Sequence, residues 1–120
     1  MSPRDRVSIE ARLRAEGLDP SAWSSLPGER FEHHTHETDK VVVVVEGRIT
    51  FGLTGYGVGF HLAPGERLDL PAHVSHDATV GDRGVTCLEA HLPAGTLGTR
   101  AKGRGYRWKA IRAVAFTGIG

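Results

Sequence analysis

The sequence predicts a mainly β fold, a barrel or sandwich of short strands preceded by one short helix. Sixteen glycines and six prolines are spread along the 120 residues rather than clustered, which is typical of many tight turns between short strands. Apolar and polar residues alternate in several short segments, the period of a strand with one buried face. A hydrophobic content of 39% suffices for one core, so we expect one domain.

The N-terminal part is predicted to be helical. Ile9 and Leu13 lie four positions apart among charged residues, and Gly17 follows at a position typical of the glycine that ends a helix. Residues 19–23 begin with an Asp-Pro pair, which can start a second helical turn. Residues 1–27 are therefore interpreted as an N-terminal helical extension.

From Phe31 onward the pattern changes to strands separated by turns. Residues 41–45 are five consecutive valines, and this β-branched run predicts a strand that is buried on both faces. Glu46 and Gly47 are predicted to turn the chain at the end of that strand. Further strands, separated by turns that contain glycine or proline, are predicted at residues 48–53, 58–62, 67–70, 76–80 and 85–92.

Basic residues are concentrated near the C-terminus, although the net charge is only +1. Residues 100–112 carry six basic side chains and no acidic one, together with Tyr106 and Trp108. Such a segment can bind nucleic acid, but no nucleic-acid motif accompanies it, so charge pairing with the acidic body of the protein is favoured. Residues 96–120 are expected to pack on the barrel or on a partner subunit.

The sequence shows no signal for export or for membrane insertion. Its N-terminus lacks an apolar run of signal-peptide length, and no window approaches the roughly 18 apolar residues of a membrane span. The single cysteine, Cys87, cannot form an internal disulfide. We therefore expect a soluble cytoplasmic protein.

Five of the seven histidines lie in two short segments of the chain. Because side chains alternate along a strand, His34 and His36 point the same way and His33 points away. Two imidazoles on one face can share a metal ion, and His76 from a neighbouring strand would complete a set of three that leaves coordination positions open. Ordinary surface histidines near strand ends are the alternative. The pair leading into a buried strand favours the metal site.

The first of these segments resembles the first sequence motif of the cupin superfamily, G-x5-H-x-H-x3-E-x6-G. Gly28, His34, His36 and Gly47 match it at the family's spacing. Lys40 stands where the family has a glutamate.

The second segment resembles the second cupin motif, G-x5-P-x-G-x2-H-x3-N. Gly65, Pro71 and His76 match it, whereas His73 and Val80 stand at its remaining two positions. The two motifs at their joint spacing are more specific than either one alone.

The resemblance covers residues 28–92 and implies a double-stranded β-helix, a jelly-roll barrel with a metal site inside one end. We place the barrel at residues 28–95. Small cupins commonly pair through barrel edges, and antiparallel sheets with free edges make such pairing physically reasonable, so a homodimer is expected.

The replacement of the family's glutamate by Lys40 bears on function, because that glutamate is usually the fourth metal ligand. The remaining three histidines are similar to the iron sites of thiol dioxygenases and diketone-cleaving dioxygenases. The resemblance thus implies a site for one divalent transition metal, Fe, Mn, Ni or Zn, and dioxygenase-like chemistry on a small polar or anionic substrate. The alternative is a non-catalytic binding or sensing protein with weak or no metal binding, so enzymatic activity stays open.

Three further residues are candidates for substrate binding or for support of the metal ligands. Lys40 either faces the cavity and binds a substrate carboxylate, or turns to solvent and pairs with Asp39 or Glu37. His73 stands at a tight turn, either at the cavity mouth or exposed. Glu89 is the third candidate.

The position of Glu89 depends on which face of the strand at residues 85–92 points inward. Cys87, Glu89 and His91 share one face, and the apolar residues Leu88 and Ala90 share the other. Because large apolar residues are normally buried, we expect the Leu88 face to point inward and Glu89 to lie at the surface. In the other orientation, Glu89 supplies a carboxylate near the metal. No base is placed beside Cys87, so it is not expected to act as a nucleophile.

Overall fold

The structure, a computed structural model, describes residues 5–54, 57–105 and 108. These residues form one helix, α1 (Arg6–Ala15), and seven strands that pair only in antiparallel fashion. The strands are β1 (Ser21–Ser25), β2 (Arg30–His34), β3 (Asp39–Leu53), β4 (Val58–Leu62), β5 (Arg67–Leu70), β6 (His76–Leu92) and β7 (Lys102–Arg104).

Helix α1 confirms the prediction for the N-terminus. The Asp5 side chain caps the helix by accepting a hydrogen bond of 2.8 Å from the Ser8 backbone N–H. Ile9 and Leu13 are fully buried, so the predicted apolar face is the one that packs on the sheet. Gly17, with a φ of 84°, follows the end of the helix.

The second helical turn that was predicted to start at residue 19 is wrong, because residues 21–25 form β1. This strand pairs with β6, and Trp23 lies opposite Cys87. The Trp23 ring packs against the barrel core. Hydrogen bonding along β6 and burial of this large ring outweigh the weak local preference that an Asp-Pro pair gives for a helix start.

The turns predicted at Gly47 and Gly84 are also wrong, because each of these glycines lies inside a long strand. The strands predicted on either side of Gly47 form one strand, β3, and those on either side of Gly84 form β6. Both glycines have a positive φ, 80° and 79°. A Cβ atom added at Gly47 would lie 2.0 Å from the Gly84 carbonyl oxygen. The glycines thus permit a bulged bend of two paired strands instead of a hairpin.

The bend divides the β3 and β6 ribbon into two halves that face each other. Residues 39–44 pair with β5 on one side and with β6 on the other, and β1 extends this half. Residues 49–53 pair with β4 and with the start of β6, which β2 extends. Val44 from the first half and Phe51 from the second lie in one core between them. The fold is the predicted jelly-roll barrel with a short N-terminal helix.

The valine strand is buried on both faces, as predicted. Val42 and Val44 point into the barrel core. Val41 and Val43 point outward and pack in a second apolar cluster with Leu13 of α1. The helix therefore covers the outer face of the sheet, and β6, the neighbour of β3, is enclosed in the same way.

The C-terminal segment is described as far as Gly105 and again at Trp108. β7 pairs with β5, and the Trp108 Nε1–H donates a hydrogen bond of 3.1 Å to the Gly65 carbonyl. The rest of the predicted basic segment, including Tyr106, lies outside the described residues. In the described part of the chain, no helix has the length and apolar character needed to cross a membrane.

Candidate metal centre

The structure brings the three predicted metal ligands together at one end of the barrel. His34 at the end of β2 lies opposite His76 at the start of β6, and His36 follows in the connection to β3. One ring nitrogen from each histidine lies within 4.8 Å of the other two. The ring centroids are 4.3 to 5.1 Å apart. This spacing allows one ion to contact all three rings.

Backbone hydrogen bonds orient two of the three imidazoles. The Nδ1 atom of His34 lies 2.7 Å from the Glu32 carbonyl oxygen, and that of His76 lies 2.9 Å from the Val74 carbonyl oxygen. Because a carbonyl oxygen only accepts, each Nδ1 carries the proton and donates. In the neutral rings the Nε2 lone pair is therefore the one available to a metal ion.

His36 is held in the neutral form by its surroundings. Burial lowers its pKa from 6.5 to about 4, with further lowering by the charge of Lys40 and by the other two histidines. Burial also lowers the pKa of His76. Since a metal binds neutral imidazole, both shifts suit a metal ligand.

Lys40 faces the cavity rather than the solvent, which is the first of its two predicted orientations. Its Nζ atom lies 3.1 Å from His36 Nε2 and 3.2 Å from Glu89 Oε1. In neutral His36 this nitrogen accepts a hydrogen bond from the ammonium group. A metal ion bound at the same nitrogen would have to displace Lys40.

Glu89 also lies in the site, and the prediction that its face is exposed is wrong. Cys87 is fully buried in the barrel core, whereas Leu88 and Ala90 are buried under α1. The prediction failed because the strand is covered on both sides, so apolar residues did not identify the inner face. Burial also raises the pKa of the Cys87 thiol to about 12, which leaves it protonated and unreactive.

Glu89 is fixed by three side chains. Its Oε1 atom accepts from Trp23 Nε1 at 3.1 Å and pairs with Lys40. Its Oε2 atom lies 3.1 Å from Nε2 of His91, which is exposed at the barrel end. Both oxygens of the Glu89 carboxylate therefore already have side-chain partners in the protein.

The other two predicted histidines contact the site differently. The His73 side chain is exposed, but its backbone N–H donates a hydrogen bond of 2.8 Å to the His36 carbonyl oxygen and so holds the segment that carries His36. With a φ of 66°, His73 adopts the left-handed conformation that glycine, the family's residue here, adopts easily. His33 is exposed and contacts Thr54 at 2.6 Å, so it points away from the cluster as predicted.

A cavity of about 300 Å³ opens beside His34 and His76. Lys40 and Glu89 contribute to its polar end. Its apolar wall consists of Trp23, Phe31, Ile49, Phe51 and Ala78. The sequence analysis did not identify this wall, although alternation in the segment at residues 48–53 places Ile49 and Phe51 on one face.

The donor set fits a transition metal. Imidazole suits zinc, copper, iron and nickel, and three protein ligands leave coordination positions open for a further molecule. The positive charge of Lys40 opposes binding. The site thus combines three histidines that could bind a metal ion with a lysine whose ammonium group would compete with that ion.

The low pKa of His36 leads to a prediction for the metal-free protein. The unfolded chain, with a histidine pKa near 6.5, takes up a proton that the folded protein with a pKa of about 4 resists. The free energy of unfolding is therefore expected to fall as the pH drops from about 6.5 towards 4. Urea unfolding with a chelator present measures this loss. His36→Gln should lose less stability over that range, and an equal loss in both proteins would contradict the assignment.

No protein-family model and no curated protein matches the sequence. Solved structures do match. The DMSP lyase DddQ from Ruegeria pomeroyi DSS-3 is 21% identical over 71% of this chain and 42% of that chain, with a TM-score of 0.56. A cupin superfamily protein from Desulfitobacterium hafniense DCB-2 is 21% identical over 63% of this chain and 67% of that chain, with a TM-score of 0.55.

Oxalate decarboxylase from Bacillus subtilis, which has Mn(II) centres, is 20% identical over 64% of this chain and 21% of that chain, with a TM-score of 0.51. The chain thus spans less than half of the DMSP lyase and about a fifth of oxalate decarboxylase. The similarity therefore covers a single barrel. At 20 to 21% sequence identity it establishes the fold alone. In agreement with the two histidine motifs and the bent β3 and β6 ribbon, the chain folds as a cupin.

Proposed function

We propose that the protein binds one divalent transition metal through His34, His36 and His76 and uses it on a small molecule held in the adjacent cavity. The observation that carries this proposal is the clustering of three ring nitrogens within 4.8 Å of one another. The Nδ1 hydrogen bonds of His34 and His76 support it, because they orient the two rings and leave the Nε2 lone pairs available to a metal.

The chain's own residues supply the rest of such a site. A metal at this position supplies a Lewis acid, and iron, manganese or nickel would also supply redox chemistry. The apolar wall around Phe31 keeps water away from part of the cavity. Glu89 balances the charge of Lys40. The metalloenzymes among the solved structures, such as oxalate decarboxylase with its Mn(II) centres, support a catalytic role.

A second candidate function is a small-molecule binding or sensing protein with weak or no metal binding. The contact of 3.1 Å between Lys40 Nζ and His36 Nε2 favours it, because the ammonium group takes the place of a cation at that ring. In this case the cavity would bind its ligand without catalysis.

Metal uptake by single histidine variants distinguishes the two functions. The wild-type protein is expected to take up about one equivalent of Fe, Mn, Ni or Zn, measured by metal analysis and by competition with a chromophoric chelator. His34→Ala, His36→Ala and His76→Ala should each lower the affinity at least about 100-fold, because even the loss of a group that supports a ligand costs about 10- to 100-fold.

His33→Ala is the matched control, since this neighbouring histidine is exposed and points away from the cluster. It should keep wild-type metal affinity. A wild-type protein that takes up none of the four metals, and whose unfolding is unchanged by a chelator, would refute the metal proposal and leave the binding or sensing role.

A further inference from the structure

The cavity wall determines what kind of molecule can enter. Trp23 and Phe31 meet edge to face with ring centroids 6.5 Å apart, and they border the cavity together with Phe51. A volume of about 300 Å³ is at the small end for ligand sites. The wall therefore favours a small ligand with an apolar body.

The charged groups at the polar end of the cavity, beside the histidines, are already paired. Among the described residues that line it, Lys40 and Glu89 alone carry an ammonium, guanidinium or carboxylate group. Their charged atoms lie 3.2 Å apart, and their side chains are only 12% and 16% exposed. A ligand with two anionic groups would find no free cation for the second one. Burying that group unpaired against the apolar wall is costly.

The histidines provide the place for a polar group of the ligand. The Nδ1 atoms of His34 and His76 are bonded to backbone carbonyls, so their Nε2 atoms mark the polar end of the cavity, whether or not a metal is bound there. One oxygen donor can be accommodated at that end while the remainder of the molecule contacts Phe31 and Trp23.

We propose that the cavity takes a small, mainly apolar molecule with a single carboxylate or similar oxygen donor directed at the histidines. Glu89 is the residue that determines this specificity, because it neutralises Lys40 and so excludes dianionic ligands. This inference rests on the proposed function for the metal at the donor end and adds the ligand class to it.

Hexanoate and adipate provide the test, since they differ only in a methyl or a carboxylate group at the far end. Calorimetric titration of the zinc-saturated protein is expected to show hexanoate binding at least about tenfold more tightly than adipate, the cost of an unpaired buried charge. Glu89→Gln leaves the charge of Lys40 unneutralised beside the cavity, which lowers the cost of burying a second carboxylate there, so the preference should shrink to less than about threefold. Glu46→Gln, at an exposed position of β3, is the matched control and should keep the preference.

Two results of this titration would overturn the proposal: adipate that binds wild-type protein as tightly as hexanoate, or no binding of either ligand. A second variant tests the apolar wall. Phe31→Ser, at a half-buried position, should weaken hexanoate binding about five- to tenfold, because the apolar body of the ligand loses its contact with one aromatic ring. An unchanged hexanoate affinity would show that the apolar body does not lie against this wall.

Failure of the ligand class can be told apart from failure of the metal site. Zinc uptake is measured first by chelator competition. If the protein takes up no zinc, the same two ligands are titrated into metal-free protein, and the metal proposal itself fails if Fe, Mn and Ni are not taken up either. The apolar wall and the Lys40 and Glu89 pair do not depend on a metal, so the preference for hexanoate is expected there as well.

Discussion

The substitution Lys40→Glu is expected to raise the affinity of the three-histidine cluster for a divalent metal at least about 100-fold. Two effects act in the same direction. The ammonium group now lies 3.1 Å from the Nε2 atom of His36, and two unit charges about 4 Å apart repel by about 4 kcal/mol at an effective dielectric constant near 20. The new carboxylate would also stand where cupins carry their fourth ligand. Each tenfold in affinity requires only about 1.4 kcal/mol.

Two control variants separate these effects. Lys40→Gln removes the repulsion without adding a ligand, so it should give a gain of at least about tenfold that is smaller than the gain of Lys40→Glu. Lys102→Glu makes the same change of charge at an exposed position of β7 and should leave the affinity within about twofold. Chelator competition measures all three. If Lys40→Gln binds metal no more tightly than the wild type, Lys40 does not compete with the ion.

The same substitution should have an opposite effect on the metal-free protein. A carboxylate at position 40 would face Glu89, whose present partner is the lysine. Two buried like charges destabilise the fold, so the melting temperature without metal should fall. Metal should then raise it by more than in the wild type, because tighter binding to the folded state gives a larger stabilisation. Thermal melts with and without zinc measure both changes.

Local sequence patterns were sufficient to predict that three histidines cluster at one end of the barrel. Alternation along a strand predicted that His34 and His36 lie on one side, and the two rings do converge, although β2 ends at His34. The spacing of the second motif identified His76. These inferences depend on a few neighbouring positions of the sequence. The burial of the valine run on both faces was also predicted correctly, because a continuous apolar strand requires cover on both faces.

The orientation of Glu89 and the continuity of β3 could not be read from local pattern. Glu89 faces the cavity because α1, from the other end of the sequence, covers the opposite face of β6. Gly47 has the positive φ that a turn residue can adopt, but whether the chain turns back or bends onward depends on Gly84, which packs against it. Both outcomes are set by partners that are distant in sequence.

Arg67 is a further example, because its burial depends on residues far away in the chain. Polar and apolar residues alternate along β5, so Arg67 and Asp69 would be expected on a solvent-exposed face. In the structure all four residues of β5 are buried. The partner of Arg67 is Glu16, the residue that caps the C-terminal end of α1. Trp108 lies beside the guanidinium, with 4.6 Å between the Arg67 Cζ atom and the ring centroid.

Replacing Arg67 by methionine is expected to lower the free energy of unfolding by about 3 to 5 kcal/mol, the usual cost of breaking a buried ion pair. Arg67 is fully buried and contacts Glu16 at 2.9 Å and Asp69 at 2.6 Å. Asp69 keeps a second partner in Arg104, at 2.6 Å. The carboxylate of Glu16, which is also fully buried, would lose the guanidinium that compensates its charge. Urea unfolding measures the loss.

Arg14→Met is the matched control, because Arg14 forms an ion pair of 3.3 Å with Asp19 in which both side chains are largely exposed. Its loss should cost less than about 1 kcal/mol, as exposed pairs contribute little. A loss of similar size in both variants would show that removing a long side chain, rather than stranding a buried charge, determines the effect.

Adding Glu16→Met to Arg67→Met should recover part of the lost stability, which makes the electrostatic explanation directly testable. The second substitution removes the buried carboxylate that the first one leaves unpaired, and two methionines can fill the space with apolar contacts. In addition, Nη2 of Arg67 is buried without a hydrogen-bond partner among the described residues, so the native pair is incompletely satisfied and its full replacement costs less than its disruption. A double variant less stable than Arg67→Met alone would mean that Glu16 stabilises the end of α1 by contacts other than its charge pair with Arg67.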